Sequence, residues 1–346
     1  MSDLRRQAAT AGAGRPDGRE LSPGIVVLSA VVGGISLTIG ALLAVASLFG
    51  YTAGAWVSPE ALSPGLIGAA MAGVAPALFT IGRARVWEDV RSLVLPLVIV
   101  LVGLFAVSVL NGGSLQAAKG GPLFLALFSL GWVATLGLLA LGAVGCLAAQ
   151  YRGRAGRASG APAGPAGSAS PGRAGGVAAG PAGAARRQPV APMPDWSKPP
   201  LAVVGSGWFG IGAGLLAFPD FWGALVPWTV NRADAQGLGV WALALGVGVL
   251  GALAEDDLTR IRPALRAVPA VALALGALLA VHSRDVDWAS GPGVSLIALV
   301  TGLLVTGLSG HWLLARTTRA SGADADAERN EPPAPAGAKA HPGDDA

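Results

Sequence analysis

Residues 92–110 read SLVLPLVIVLVGLFAVSVL, nineteen consecutive positions without Lys, Arg, Asp or Glu, preceded by Arg91. A helix of that length rises about 28 Å, close to the roughly 30 Å hydrocarbon core of a bilayer. In lipid a helix satisfies its own backbone hydrogen bonds, so an uncharged run of this length reads as a membrane span. Working outward, the same test finds Gly65–Gly82 and Ile25–Phe49 before it and Pro122–Gln150 after it. Beyond a polar gap come Leu201–Pro219, Gly237–Ala254 and Gly293–Ala315. Ala267–Val281 is shorter, but Arg266 in front of it reaches the headgroups along its own stem, so it too reads as a span. The expectation is an all-α integral membrane protein with eight transmembrane helices in two groups of four.

Composition agrees. Of 346 residues, 53% are hydrophobic and 13% charged, about half the charge of an average soluble domain. That excludes a disordered polymer and argues against one large soluble enzyme. Cys146 stands alone, which excludes an intrachain disulfide and a Cys-based zinc or iron–sulfur site. With the N-terminus placed inside, 21 of the 24 basic residues fall on inside segments; the outer loops carry Lys119, Arg232 and Arg284. Both termini are therefore expected in the cytoplasm of a bacterium, with the chain in its plasma membrane. The bilayer is the expected partner, together with a possible membrane-protein partner; no nucleic-acid partner is expected. Tyr51, Trp56, Phe221, Trp222, Trp228 and Trp288 lie in the outer loops and read as an interfacial aromatic belt. Ala53-Gly54-Ala55 follows the first span, but the lead before that span and its apolar run are too long for a cleaved signal peptide.

Self-similarity is the most informative feature. Shifted by 172 positions, Ala30–Thr80 meets the second half of the chain with 16 identities in 51 ungapped positions. Phe49 meets Phe221, Trp56 meets Trp228, and Gly65 meets Gly237. After the second helix the shift becomes 171, and Arg91 then meets Arg262. An even number of helices per unit keeps both halves in the same orientation, which sets a pseudo-twofold axis along the membrane normal. The organisation read from this is a disordered N-terminal stretch 1–24, a four-helix repeat 25–150, a Gly/Ala/Pro/Arg linker 151–199, a second four-helix repeat 200–316, and a disordered tail 317–346.

Chemistry-bearing patterns are sparse. Gly205-Ser206-Gly207-Trp208-Phe209-Gly210 fits G-x-G-x-x-G but lies inside an apolar span, where small residues let helices approach. Gly210-x-x-x-Gly214 beside it supports that reading. There is no Walker A string and no Gly-x-Ser-x-Gly. His282 and His311 belong to opposite membrane faces and His341 to the tail, so no cofactor is expected. Asp220, with Arg232 and Asp234 near it in sequence, marks a small polar site on the outer face or a solvated loop. Asp285 and Asp287 are candidates to join it. Arg91 and Arg262 mark either a symmetric inner gate or docking site, or phosphate anchors at helix starts. Trp56 and Trp228 are ligand contacts or, more simply, belt residues.

Val226-Pro227-Trp228-Thr229, with Ala233, Gly237 and Trp241 at four-residue steps after it, resembles a motif of uncharacterised actinobacterial-type multi-pass membrane proteins. These carry Trp-Pro-Trp, an Ala, then Gly and Trp opening the next helix, and Arg260-x-Arg262 is similar as well. The resemblance covers mainly Leu201–Ala315, with Val226 and Leu258 standing where that family has Trp. It implies architecture and no activity. Three functions then compete. The first is a structural or accessory membrane subunit without intrinsic catalysis. The second is a permease-like carrier of a small neutral or apolar solute. The third is a membrane-embedded lipid or isoprenoid enzyme.

Overall fold

The structure, a computed structural model, describes residues 19–84, 86–159, 192–258 and 260–330. It is an all-α polytopic membrane protein with, among these described residues, eight helices long and apolar enough to cross a bilayer. They are α1 (Pro23–Leu48), α2 (Leu62–Thr80), α3 (Arg91–Leu110), α4 (Leu123–Ser159), α5 (Lys198–Ala217), α6 (Arg232–Glu255), α7 (Arg262–Val281) and α8 (Gly291–Asn330). Proline enters three of them, at Pro76, Pro96 and Pro269. Membrane helices tolerate this because neighbouring helices re-satisfy the freed backbone.

The spans run antiparallel, which gives the bundle two ends. The chain before α1, the connections α2–α3 and α6–α7, and the entry to α5 meet at a basic end. The connections α1–α2, α3–α4, α5–α6 and α7–α8 meet at a loop end. Packing is layered. α2, α3, α6 and α7 are central, and α1, α4, α5 and α8 present Val27, Leu42, Leu127, Leu141, Val203 and Leu308 outward. In a bilayer such exposed apolar side chains face lipid tails of equal polarity, so close packing must hold the helices together.

The most extensive contacts are α1 with α2 and α5 with α6. Glycine makes both possible. A Cβ on Gly40 would stand 2.7 Å from the backbone of Ala72 and Gly68, and one on Gly68 equally close to Gly40. In the other pair Gly212 lies against Leu243 and Gly239, and Gly239 against Gly212 and Leu215. One turn pair further on, Gly33 meets Leu78 and Phe79, as Gly205 meets Val249 and Leu250. Across the halves α2 packs on α7 and α3 on α6, whereas α2 and α3 make little contact with each other. Gly73 rests on the backbone of Val271, and Gly103 on Val240.

Several sequence expectations shift. α6 begins five residues before its charge-free run, capped by Asn231, whose Oδ1 accepts the Asp234 N–H at 2.9 Å. Asp234 thereby enters the helix. α7 likewise starts at Arg262, well before Ala267. α4 continues through Ser159 into the stretch read as linker, because tertiary contacts carry it on: Gln150 Oε1 accepts from Ser22 N and its Nε2 donates to Glu20 O, while Trp87 meets Tyr151 edge-on. α8 runs to Asn330, past the start of the expected tail. Arg19–Ser22 are tied down rather than loose, since Arg19 pairs with Glu88 and Leu21 is buried. The rest of the linker, 160–191, and residues 1–18 and 331–346 lie outside the described residues. Gly210 touches nothing and Gly214 faces the Trp222 ring, so the close helix approach runs through Gly205 and Gly212 instead.

Candidate functional site

Two features could carry function: a polar seam between the halves at the loop end, and a pair of apolar cavities lined by helices of both halves. The seam starts with Trp56. It is 3% exposed, edge-on to Trp132 at 6.4 Å between ring centroids. It is a core residue and not part of an aromatic belt, because the α1–α2 loop is strapped down around it. Val57 N donates to Ser114 O, and Gln116 donates through its backbone N to Ala55 O and through Nε2 to Trp56 O. Tyr51 and Phe221 are exposed, as belt residues would be. The strapped loop then meets the second half. Asn231 Nδ2 donates to Val57 O at 2.7 Å, Thr229 N to Glu60 Oε1 at 3.3 Å, and Trp228 Nε1 to Ser63 Oγ at 2.9 Å.

Asp234 lies at the centre with no exposed surface. Its Oδ1 accepts from Ser58 Oγ at 2.7 Å; Oδ2 has no partner among the described residues. Deeper in, Asn111 Nδ2 donates to Gln236 Oε1 at 2.7 Å, joining α3 to α6. His282 completes the seam: Nδ1 faces Asp285 Oδ2 at 2.7 Å, and Nε2 faces Ser47 O at 2.9 Å. Ser47 Oγ, 3.2 Å from Nε2, also donates to Ala61 O, and Ser47 is fully buried. The Ser–His–Asp order is that of a hydrolase triad, yet this hydroxyl is buried against Gly65 with no path for a substrate.

Asp220 is not part of the seam. It is exposed on the short helix Pro219–Gly223, and no hydrogen bond or ion pair joins it to Arg232 or Asp234 among the described residues. The Asp287 carboxylate stays within its own turn, accepting from Ala289 N, while its backbone N donates to Pro227 O at 2.9 Å. At the basic end Arg91 pairs with Glu255, which is 4% exposed, linking α3 to α6. Arg262 is exposed, so the two arginines do not form a symmetric pair. Asp256 ends α6 in the left-handed conformation (φ 50°), a helix-stopping geometry, and its carboxylate holds Lys198 Nζ at 3.0 Å and Met193 N at 3.2 Å. Burial holds the Asp89 carboxyl above the ordinary aspartate value of 3.8; Arg260 opposes that rise, and Glu88 and Asp257 add to it.

The cavities have apolar walls. One, about 400 Å³, lies toward the basic end, mainly between α3, α5, α6, α7 and α8. The other, about 470 Å³, lies toward the loop end between α2, α5, α6, α7 and α8. Trp241 and Leu245 line both. Among the described residues there is no group of three or more His, Cys, Asp or Glu placed to hold a metal ion.

No family model, curated protein or solved structure matches the chain.

Sequence reasoning passed over Ser58, Asn111 and Gln236, and weighed His282 only as a lone residue at one membrane face, because uncharged or single polar residues near span ends carry no local pattern. Their one signal was position. Each falls at the loop end of a span, where a buried polar group needs a partner from another element.

Proposed function

We propose that this chain is a structural or accessory subunit of a bacterial plasma membrane, with both termini cytoplasmic, built from two duplicated four-helix units locked into one scaffold. The observation that carries the scaffold reading is that the halves are tied at both ends at once. Arg91–Glu255 closes the basic end; Ser58–Asp234, Trp228–Ser63 and the His282–Ser47 contact close the loop end. Between them, glycine lets α2 and α7 touch at backbone distance. A carrier that rocks about a central site needs one end to part while the other stays shut.

The helix pairing supports the duplication: exchanging the halves turns α1–α2 into α5–α6 and α2–α7 into α6–α3. The glycine contacts support it with a changed register. Gly40 corresponds to Gly212 by 172, but Gly68 corresponds to Gly239 by 171, so the one-residue step falls before the second helix of the unit, not after it. Gly237 then stands opposite Leu66 in the repeat, not Gly65. The gathering of Arg19, Arg83, Arg91, Lys198, Arg260 and Arg262 at one end supports an inward basic end.

The test is distance measurement between spin labels on a Cys146→Ser background, one pair at Arg83 and Arg262, another at Lys119 and Arg284. One narrow distance per pair is expected in lipid nanodiscs. Two populations that change in opposite senses at the two ends would replace the scaffold with the carrier. That second reading draws its own support from the two cavities, whose apolar walls suit an apolar solute.

A further inference from the structure

The cavities are more specific than their volumes suggest. They meet at Trp241 and Leu245, and along α8 their walls run from Gly291 to Leu313. That stretch is about 33 Å long at 1.5 Å per residue, the full thickness of a hydrocarbon core. Two apolar cavities set end to end over this length suit a hydrocarbon chain, since their walls offer water few polar partners. A cation lies one turn beyond the first cavity along α8. Val305, Ser309 and Leu313 lie on one stripe of α8 and line the first cavity. Arg316 continues that stripe, exposed, its guanidinium 3.6 Å from the Trp312 ring, and no carboxylate pairs with it among the described residues. Lys198, beside the lining residue Ser197, is by contrast held by Asp195 and Asp256.

We propose that the protein binds an amphiphile with a net anionic phosphate head and a hydrocarbon chain, the head at Arg316 and the chain in the cavity that α8 shares with α3, α5, α6 and α7. This rests on the membrane setting of the proposed function and not on rigidity, so loss of the ligand and motion of the halves are separate outcomes. Two sources share the chemistry. A phospholipid chain reaches the Trp241–Leu245 waist; a polyprenyl phosphate chain passes it into the second cavity.

The full chain in detergent micelles is mixed with dioleoyl phosphatidylglycerol, dioleoyl phosphatidylcholine, a C55 polyprenyl phosphate or inorganic phosphate, and retained ligand is read by native mass spectrometry. Retention of one or both net-anionic amphiphiles over zwitterionic phosphatidylcholine is expected. Arg316→Gln should weaken it about tenfold or more, as loss of a charge-assisted contact implies. Ala264→Phe, which fills the first cavity, should abolish it. Val305→Trp tests the same wall from an exposed position, where folding is not at risk. Preference for the polyprenyl ligand identifies the long chain. Equal or greater retention of phosphatidylglycerol identifies the bilayer lipid. Equal retention of phosphatidylcholine, full competition by inorganic phosphate, or unchanged binding in Arg316→Gln and Val305→Trp overturns the proposal.

Discussion

Asp234 Oδ1 receives one side-chain hydrogen bond, from Ser58 Oγ, and Asp234 has no contact with solvent. Removing that hydroxyl strips the buried acid of a donor that nothing nearby replaces, and losses of this kind cost about 1–3 kcal/mol. Ser58→Ala is therefore expected to destabilise the protein by that amount in thermal or denaturant unfolding in detergent, whereas Asp220→Ala, at an exposed position, should change stability by no more than about 0.5 kcal/mol. A Ser58→Ala protein as stable as the parent would show that the seam is decoration. At this scale the sequence was least informative. Asp234 stood out only as a charge near Asp220, and Trp56 read as a belt residue, because burial of a loop tryptophan depends on a strap from residues 112–118 that no local pattern announces. Arg91 was legible as a helix-start cation; its partner Glu255, 164 positions away, was not.

At the scale of helices the reading was closer, because charge-free length is a local property. Every apolar run became a span, and the discrepancies fall at helix ends, where capping by Asn231 or contact through Gln150 moves a boundary that hydropathy cannot see. Glycine-mediated contacts give this scale its test. Gly40 has no room for a Cβ, and Gly34, in the same helix, has nothing within 4 Å. Gly40→Val should cost about 1–3 kcal/mol by overpacking α1 against α2, and Gly212→Val should do the same to α5 and α6. Gly34→Ala should be neutral or slightly stabilising, since alanine is the better helix former. Comparable losses in all three would mean that the glycines matter for helix propensity and not for approach.

For the whole molecule, topology is the expectation most directly checked. On the Cys146→Ser background, a cysteine at Arg284 should react with a membrane-impermeant thiol reagent in intact cells, and one at Arg83 only after lysis; the reverse pattern would invert the orientation. The sequence made the pairing of α1 with α2 and α5 with α6 foreseeable, since short connections place neighbours side by side. It did not disclose the exchange between halves, which depends on surfaces far apart in the chain. That exchange bears on biosynthesis. α2 finds its cover on α7, and Gly73 and Val271 are separated by about 200 residues. At the usual 5–20 residues per second of translation, α2 is inserted roughly 10–40 s before the helix that closes over it is made. During that interval the face of α2 bearing Gly73 is bare in the membrane. The nascent first half must then be shielded by the insertion machinery, or by the α2 face of a neighbouring nascent chain, until its own second half arrives.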